Sequence, residues 1–275
     1  MSRIVPPVQP GNPDSPDRLP GAAPKVSVSE RGILDHQIAY YRARAAEYDA
    51  WWFREGRYDR GEVNNAAWRA DVATVEQSLA GMLARRRPSS MLELACGTGL
   101  FTRHLAPRVA ALTAVDASPE VIAINRARVA SANVAYIEAD LFDFDPPVHY
   151  DCVFMSFWLS HVPRSRFDAF WTMVRRALAP GGFAWLIDSA HDPTSTAADH
   201  PRPDADAGMV TRRLDDGREF RIVKVFYEAP ALEELLGRCG FDATIGRTAR
   251  YFLHGEARPR DGMRDPVSPQ SASSE

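Results

Sequence analysis

One stretch, Met91-Leu-Glu-Leu-Ala-Cys-Gly-Thr-Gly-Leu-Phe101, limits the possible folds more than any other. A short apolar run ends at a carboxylate, Glu93, and passes through small residues directly into a helical pattern. Gly97 and Gly99 can adopt positive φ and expose bare backbone, while the N–H groups that open the next helix point outward without partners. Two more apolar runs end the same way, Ala-Ala-Leu-Thr-Ala-Val on Asp116 and Val-Ala-Tyr-Ile-Glu-Ala on Asp140. The separations, 23 residues from Glu93 to Asp116 and 24 from Asp116 to Asp140, leave room for one crossover helix between successive parallel strands. All three carboxylates then fall on one edge of a sheet, the edge at which doubly wound folds bind ligands.

The loop discriminates between ligands. A dinucleotide site needs Gly-x-Gly-x-x-Gly/Ala, but counting from Gly97 places Thr102 third, and counting from Ala95 places Leu100 there. A phosphate-cradling P-loop needs a Lys-Ser/Thr pair after the glycines; none follows, and the chain has only two lysines, Lys25 and Lys224. A carboxylate beside the loop repels a pyrophosphate and suits a ligand with a positive charge, so Glu93 points to an amino group.

Four segments in order, Leu-Glu-Leu-Ala-Cys-Gly-Thr-Gly, Ala-Val-Asp-Ala-Ser-Pro-Glu-Val-Ile, Glu-Ala-Asp-Leu-Phe and Tyr-Asp-Cys-Val-Phe-Met-Ser-Phe, resemble the motif series of the class I S-adenosylmethionine-dependent methyltransferases, over roughly residues 36–254. The resemblance implies a Rossmann-like, doubly wound, seven-stranded and mostly parallel sheet with the last strand antiparallel, preceded by an N-terminal helical lid. It implies S-adenosyl-L-methionine as cofactor, with Glu93, Ala95, Cys96, Gly97, Thr98 and Gly99 around the methionine moiety. Asp116 with Ala117 would meet the ribose, Asp140 and Leu141 the adenine, and Ser156 and Phe157 the sulfonium end. Ala95 departs from the family's commonest loop, which has glycine there, but is small enough not to block the backbone. The segment Tyr40-Tyr41-Arg-Ala-Arg44 through Tyr48 and Trp51-Trp52-Phe53 resembles the lid of small-molecule members, in which Tyr41 and Arg44 would cover the methionine carboxylate; an arginine fork suits such an acid.

The rest of the chain fills in the organisation. Residues 1–30 carry seven prolines and few large apolar side chains, a composition of a disordered tail, and 256–275 read likewise. Residues 31–88 form the helical lid and 89–255 the cofactor-binding domain. Apolar residues recur at helical spacing from Ile33 to Tyr48 and again through Trp68, Val72, Val75, Leu79 and Met82. Ser118-Pro119-Glu120 supplies an N-cap, an N1 proline and a first-turn acid. His191 to Ala207 reads as a disordered loop or an active-site flap. Asp215-Asp216-Gly217 marks a hairpin between Met209–Leu214 and Glu219–Tyr227, followed by a helix from Ala229 to Cys239 and a last strand from about Ala243 to Leu253, a region that the resemblance matches to the family's antiparallel sheet end.

Net charge is −3 with both signs interspersed, which excludes a nucleic-acid footprint, and no apolar run is long enough for a membrane span. Arginine outnumbers lysine 31 to 2, a bias of genome composition rather than of function. Cys96, Cys152 and Cys239 are odd in number and not at metal-ligand spacing, which fits a reducing cytoplasm and no metal site.

The expected activity is methyl transfer to a small-molecule acceptor, at oxygen, chiefly by positioning and exclusion of water. His161, just past the sheet edge, is the candidate general base, an acceptor-positioning group, or a packing residue. Trp51, Trp52, Tyr58 and Trp158 are the candidate acceptor pocket, where an arginine could hold a carboxylate. Two rivals remain open at this level: an NAD(P)-dependent oxidoreductase, which Thr102 disfavours, and an S-adenosylmethionine-binding protein that does not methylate. Oligomeric state is not legible.

Overall fold

The computed structural model describes residues 29–200 and 208–260; the tail expected over residues 1–30 lies almost wholly outside the described residues. The chain opens with α1 (Glu30–Ala43), capped by the Ser29 hydroxyl accepting from the Gly32 N–H at 3.2 Å, then α2 (Tyr48–Phe53) and the 25-residue α3 (Glu62–Arg86). The sheet strands β1 (Ser90–Leu94), β2 (Ala111–Asp116), β3 (Val134–Glu138), β4 (Tyr150–Ser156) and β5 (Leu178–Ser189) follow, with α4 (Thr102–Leu105), α5 (Pro119–Val129) and α6 (Phe167–Ala177) between them. After β6 (Met209–Arg213) and β7 (Glu219–Val223) come α7 (Ala229–Arg238), β8 (Phe241–Arg247) and β9 (Phe252–Pro259).

The seven-stranded sheet runs β3-β2-β1-β4-β5-β9-β8, parallel through β5, with β9 antiparallel to both neighbours. The expected Rossmann-like sheet, with its last strand antiparallel, is therefore present. Strand order reverses between β1 and β4, and this switch point opens a crevice at their carboxyl ends. Alternate residues of the central strands feed two apolar layers. Leu92, Leu94, Val153 and Met155 pack toward α6 and α7, whereas Met91, Cys152 and Phe154 pack toward α3 and α4. The stripe foreseen on α3 is the buried one: Trp68, Val75, Leu79 and Met82 are each at most 1% exposed.

Three expectations need correction. The expected last strand is two, β8 and β9, because the chain reverses at Thr248–Tyr251 without a glycine turn. Asp71 of α3 makes that reversal: its Oδ2 accepts from the Thr248 hydroxyl at 2.6 Å and from the Arg250 and Tyr251 N–H groups at 2.9 and 2.7 Å. Residues 256–259, assigned to a C-terminal tail, belong to β9 and pair with β5 and β8. The β6–β7 hairpin, expected at the end of the main sheet, is instead a separate two-stranded ribbon packed on α1 through Tyr40, Val210 and Ile222. Gln37 of α1 fixes it there, its amide oxygen accepting from the Val223 N–H at 3.1 Å.

No helix among the described residues is long and apolar enough to cross a membrane.

Candidate active site

The loop after β1 is held open by its backbone. Ala95, Gly97 and Gly99 all have positive φ, at 51°, 53° and 88°. Gly99 has a second reason to lack a side chain, since a Cβ there would lie 2.8 Å from the Asn125 Oδ1. Asn125, buried on α5, ties the loop down: its Nδ2 donates to the carbonyls of Cys96 and Gly97 and to the Thr102 hydroxyl at 2.8–3.2 Å. Nothing in the local sequence marks Asn125, because it acts 28 residues from Gly97 and 26 from Gly99. Ala95 carries a cost that glycine would not, about 1–2 kcal/mol for a left-handed alanine. The lower chain entropy of unfolded alanine offsets about half of it. Ala95→Gly is therefore expected to raise unfolding stability by about 0.5–1 kcal/mol in urea titrations; a less stable variant would show that the alanine methyl packs usefully.

A mainly apolar cleft lies over this loop. Of the residues expected to bind cofactor, it brings together Tyr41, Ala95, Gly97, Asp116, Ala117, Asp140, Leu141, Ser156 and Phe157. Asp116 ends β2, and its carboxylate oxygens accept from the Gly97 and Ser118 N–H groups, each at 3.0 Å. Burial nevertheless pushes its pKa up to about 6. Asp140 accepts from the Phe142 N–H at 3.0 Å with Oδ1, while its Oδ2 is buried without a hydrogen-bond partner and has the Arg31 guanidinium 3.6 Å away as an ion-pair partner. Phe142 and Gln37 line the same cleft and were not singled out from sequence.

Glu93, Cys96, Thr98 and Gly99 do not line the cleft. Glu93 is in register with Ala114 and Phe154, so its side chain points into the apolar layer beneath the loop, fully buried, with neither oxygen hydrogen-bonded. Burial raises its pKa to about 8, only partly offset by nearby Thr102, so the group is mainly a neutral acid at pH 7. Thr98 faces α2 instead, donating to Asp49 at 2.6 Å; Arg128 of α5 pairs with the same carboxylate. The N-terminal helices and the glycine loop are thereby latched together.

A second cavity of about 620 Å³ adjoins the first and shares Tyr41, Tyr48, Phe157 and His161 with it. Trp51 and Tyr58, expected in the acceptor pocket, line it. Two expected members do not. Trp52 is packed between Phe101 and Phe252 in the core, and Trp158 lies in the first cleft beside Phe142, ring centroids 5.5 Å apart. Arg44, expected over the methionine carboxylate, opens into the second cavity, its guanidinium 4.9 Å from the Tyr48 ring centre and Nη2 donating to the Tyr58 hydroxyl at 3.1 Å. Arg44 is the C-cap residue of α1, and its guanidinium is held by the Tyr58 hydroxyl and the tyrosine rings rather than lining the first cleft. In the described part of the 191–207 loop, Ser195 and Thr196 line the second cavity, and the Ser195 carbonyl accepts from the Trp51 indole at 2.8 Å.

His161 sits in the shared wall. Its Nδ1 is 2.7 Å from the Val223 carbonyl, which can only accept, so the proton resides on Nδ1. Nε2 must then accept, and the Tyr41 hydroxyl donates to it at 2.7 Å. Burial, and the Lys224 ammonium beside it, hold the imidazole pKa well below its ordinary value, so the ring is neutral. With Nδ1 donating to Val223 and Nε2 accepting from Tyr41, His161 has both ring nitrogens engaged.

A glycine loop and two strand-end carboxylates around a switch-point crevice define a nucleoside-binding transferase site, and comparison with known proteins agrees. A family model described as a methyltransferase domain matches residues 91–182. The structure of DhpI in complex with SAH superposes with a TM-score of 0.69 at 36% identity, covering 85% of this chain and 100% of that one. The DhpI–SAM–HEP complex gives 0.67 at 38% identity, covering 84% and 100%. Among curated sequences, the ubiquinone biosynthesis O-methyltransferase of Alkalilimnicola ehrlichii is 31% identical over 145 residues, 51% of this chain and 54% of its own length. The chain spans about half the length of the curated relatives it matches. The chain belongs to the class I S-adenosylmethionine-dependent methyltransferases, and S-adenosylmethionine is its cofactor.

Proposed function

We propose that this chain transfers the methyl group to a small-molecule acceptor, at oxygen, with residues 31–88 serving as a lid over the cofactor domain at 89–255. The observation that carries the reading is the wall common to the two cavities: a group in the first cleft near Ser156 and Phe157 abuts the second across Tyr41, Tyr48 and Phe157. Asp116 would accept from the ribose hydroxyls and Asp140 from the adenine side, with Leu141, Phe142 and Trp158 as apolar cover. The backbone of Ala95 and Gly97 would bound the methionine moiety. The cofactor, when bound, supplies an electrophilic methyl carbon on a sulfonium; the aromatic faces of Tyr48, Trp51 and Phe157 suit that cation. The second cavity, rather than a flat or basic surface, favours a small acceptor over a macromolecule, and the relative named as an O-methyltransferase supports oxygen. The three free cysteines suit a reducing cytoplasm.

The chain's own residues do three things here. The lid and the 194–196 segment exclude water. The cavity walls hold the acceptor in line. His161 fixes the Tyr41 phenol so that its oxygen lone pair faces the acceptor, which positions the nucleophile through one hydrogen bond. Loss of such a bond costs about 1–3 kcal/mol, so Tyr41→Phe is expected to lower kcat about 10- to 100-fold with S-adenosylhomocysteine affinity unchanged. The assay follows labelled methyl from S-adenosylmethionine into pools of small acceptors bearing hydroxyl, carboxylate or amine groups. Parent-like turnover in Tyr41→Phe removes the positioning role. Cofactor binding with label entering only protein or RNA overturns the small-molecule reading.

A further inference from the structure

We infer that the acceptor carries a compact oxyanion group, seated in the second cavity against Arg44, Arg212 and Lys224. This rests on the methyltransferase reading and specifies its acceptor. The cavity is lined by three strong cations and, among the described residues, by no carboxylate. Arg44 is 8% exposed and Lys224 7%, so two of the charges are deeply buried. Buried charge is normally paired; an unpaired guanidinium in such a place is retained only where something else supplies the counter-charge.

The hydrogen bonding leaves donors over. The Arg44 guanidinium lies among the rings of Tyr40, Tyr48 and Tyr58, 4.9–5.6 Å from their centres, with Nη2 spent on the Tyr58 hydroxyl and Nε buried without a partner. Arg212 projects from β6 with Nη1 buried and likewise unpartnered. Neither arginine forms an ion pair within 4.0 Å among the described residues, whereas the surface arginines Arg42, Arg57 and Arg86 each do. Lys224 donates to the Ser160 and Ser189 hydroxyls at 2.8 and 3.3 Å, and its nearest carboxylate, Asp188, stands at 3.8 Å behind the wall. Asp188 in turn accepts from the Ser160 and Ser189 N–H groups, so it is already committed. Among the described residues, one carboxylate stands against three cations. Burial lowers the Lys224 pKa to about 8; the Asp188 carboxylate opposes the shift only in part, and Arg212 and Arg44 add repulsion. Planar guanidinium edges and an ammonium converging from three elements match the oxygens of a carboxylate or phosphate-type group. The shared wall then places the rest of the acceptor beside Tyr41 and Phe157.

The test uses the full chain saturated with S-adenosylhomocysteine and titrated calorimetrically, at constant ionic strength, with inorganic phosphate, acetate and uncharged trimethyl phosphate. At least one anion is expected to bind one per chain and trimethyl phosphate not at all; phosphate over acetate marks a tetrahedral group, the reverse a planar one. Arg212→Gln and Arg44→Gln are expected to weaken the anion by about tenfold or more, with S-adenosylhomocysteine affinity unaltered. If either variant fails to fold, the parent alone decides: its thermal midpoint in the presence of S-adenosylhomocysteine rises with the anion and not with trimethyl phosphate. Binding of neither anion by the S-adenosylhomocysteine complex, or anion binding indifferent to both substitutions, overturns the inference. A parent that binds no S-adenosylhomocysteine fails the methyltransferase reading instead.

Discussion

Asp116→Asn weakens S-adenosylhomocysteine binding roughly 10²- to 10³-fold with the fold retained. The carboxylate does two tasks at once. It accepts from the Gly97 and Ser118 N–H groups, holding the glycine loop against β2, and it faces the cleft where a ribose diol would donate. An amide has one acceptor oxygen instead of two, so one backbone N–H loses its partner at a cost of about 1–3 kcal/mol. Hydrogen bonds from the ribose to a charged acceptor are worth about 1.5–3 kcal/mol, and the substitution removes that charge as well. Each 1.4 kcal/mol is about tenfold in affinity, which sets the range. Asp145→Asn, at an exposed surface carboxylate, is the control expected to bind like the parent.

The same residue imposes a pH dependence. The ligand-free carboxyl has its pKa raised by burial to about 6, so below that pH it is increasingly protonated and loses acceptor capacity. Affinity for S-adenosylhomocysteine is therefore expected to rise as pH increases from about 5 to 7 and then level off, with the slope absent in Asp116→Asn. Equal affinity in parent and variant, with no pH slope in either, would remove Asp116 from the binding site.

What could be read in the sequence follows from how local its physical cause is. Strand-end acids and their spacing are local, and they correctly located β1 to β3, the crevice and the cleft residues Asp116 and Asp140. The Ser118 cap is local too, and its hydroxyl accepts from the Val121 N–H as expected. The β8–β9 reversal was missed because its turn is made by a carboxylate 177 residues away in the chain, Asp71, rather than by glycine or proline. The hairpin was recognised as a hairpin from Asp215-Asp216-Gly217, but its place on α1 depends on Gln37, a residue with no signature of its own. Glu93 precedes the glycines, which makes it a ligand candidate by position, but it lies inside β1 and is buried beneath the loop; the left-handed backbone of Ala95, one residue past the strand, brings Ala95 rather than Glu93 to the cleft.

The acceptor side was least legible for the same reason. Arg44, Tyr58, Arg212 and Lys224 converge from four separate elements, and only the fold makes them neighbours. One signal was available: Lys224, one of two lysines in an arginine-biased chain, stands between Val223 and Val225, a charge embedded in an apolar run. Both valines are buried, and so is the lysine.

Glu93 carries the second large effect, on stability rather than affinity. Its carboxyl is 0% exposed, has no hydrogen-bond partner and is pushed by burial to a pKa of about 8 from a starting value of 4.5. A group whose folded pKa is raised stabilises the fold fully below the unfolded pKa and loses that contribution as pH climbs to the folded one. Between pH 4.5 and 8 the folded chain binds one proton that the unfolded chain has released, so stability falls across that window. At 1.36 kcal/mol per unit, and allowing for relaxation around the charge, the loss is roughly 3–5 kcal/mol. Glu93→Gln keeps the shape and removes the titration, so without ligand it should match the parent near pH 4.5 and exceed it by roughly that amount near pH 8. Asp116 titrates with the same sign in both proteins, and its charge is one of the causes that raise the Glu93 pKa, so the difference reads Glu93 together with that coupling. Urea unfolding of both chains at half-unit pH intervals measures the gap directly. Parallel curves from pH 4.5 to 8 would mean that Glu93 is ionised throughout and finds a partner in solution, and a neutral acid beneath the glycine loop would then be wrong.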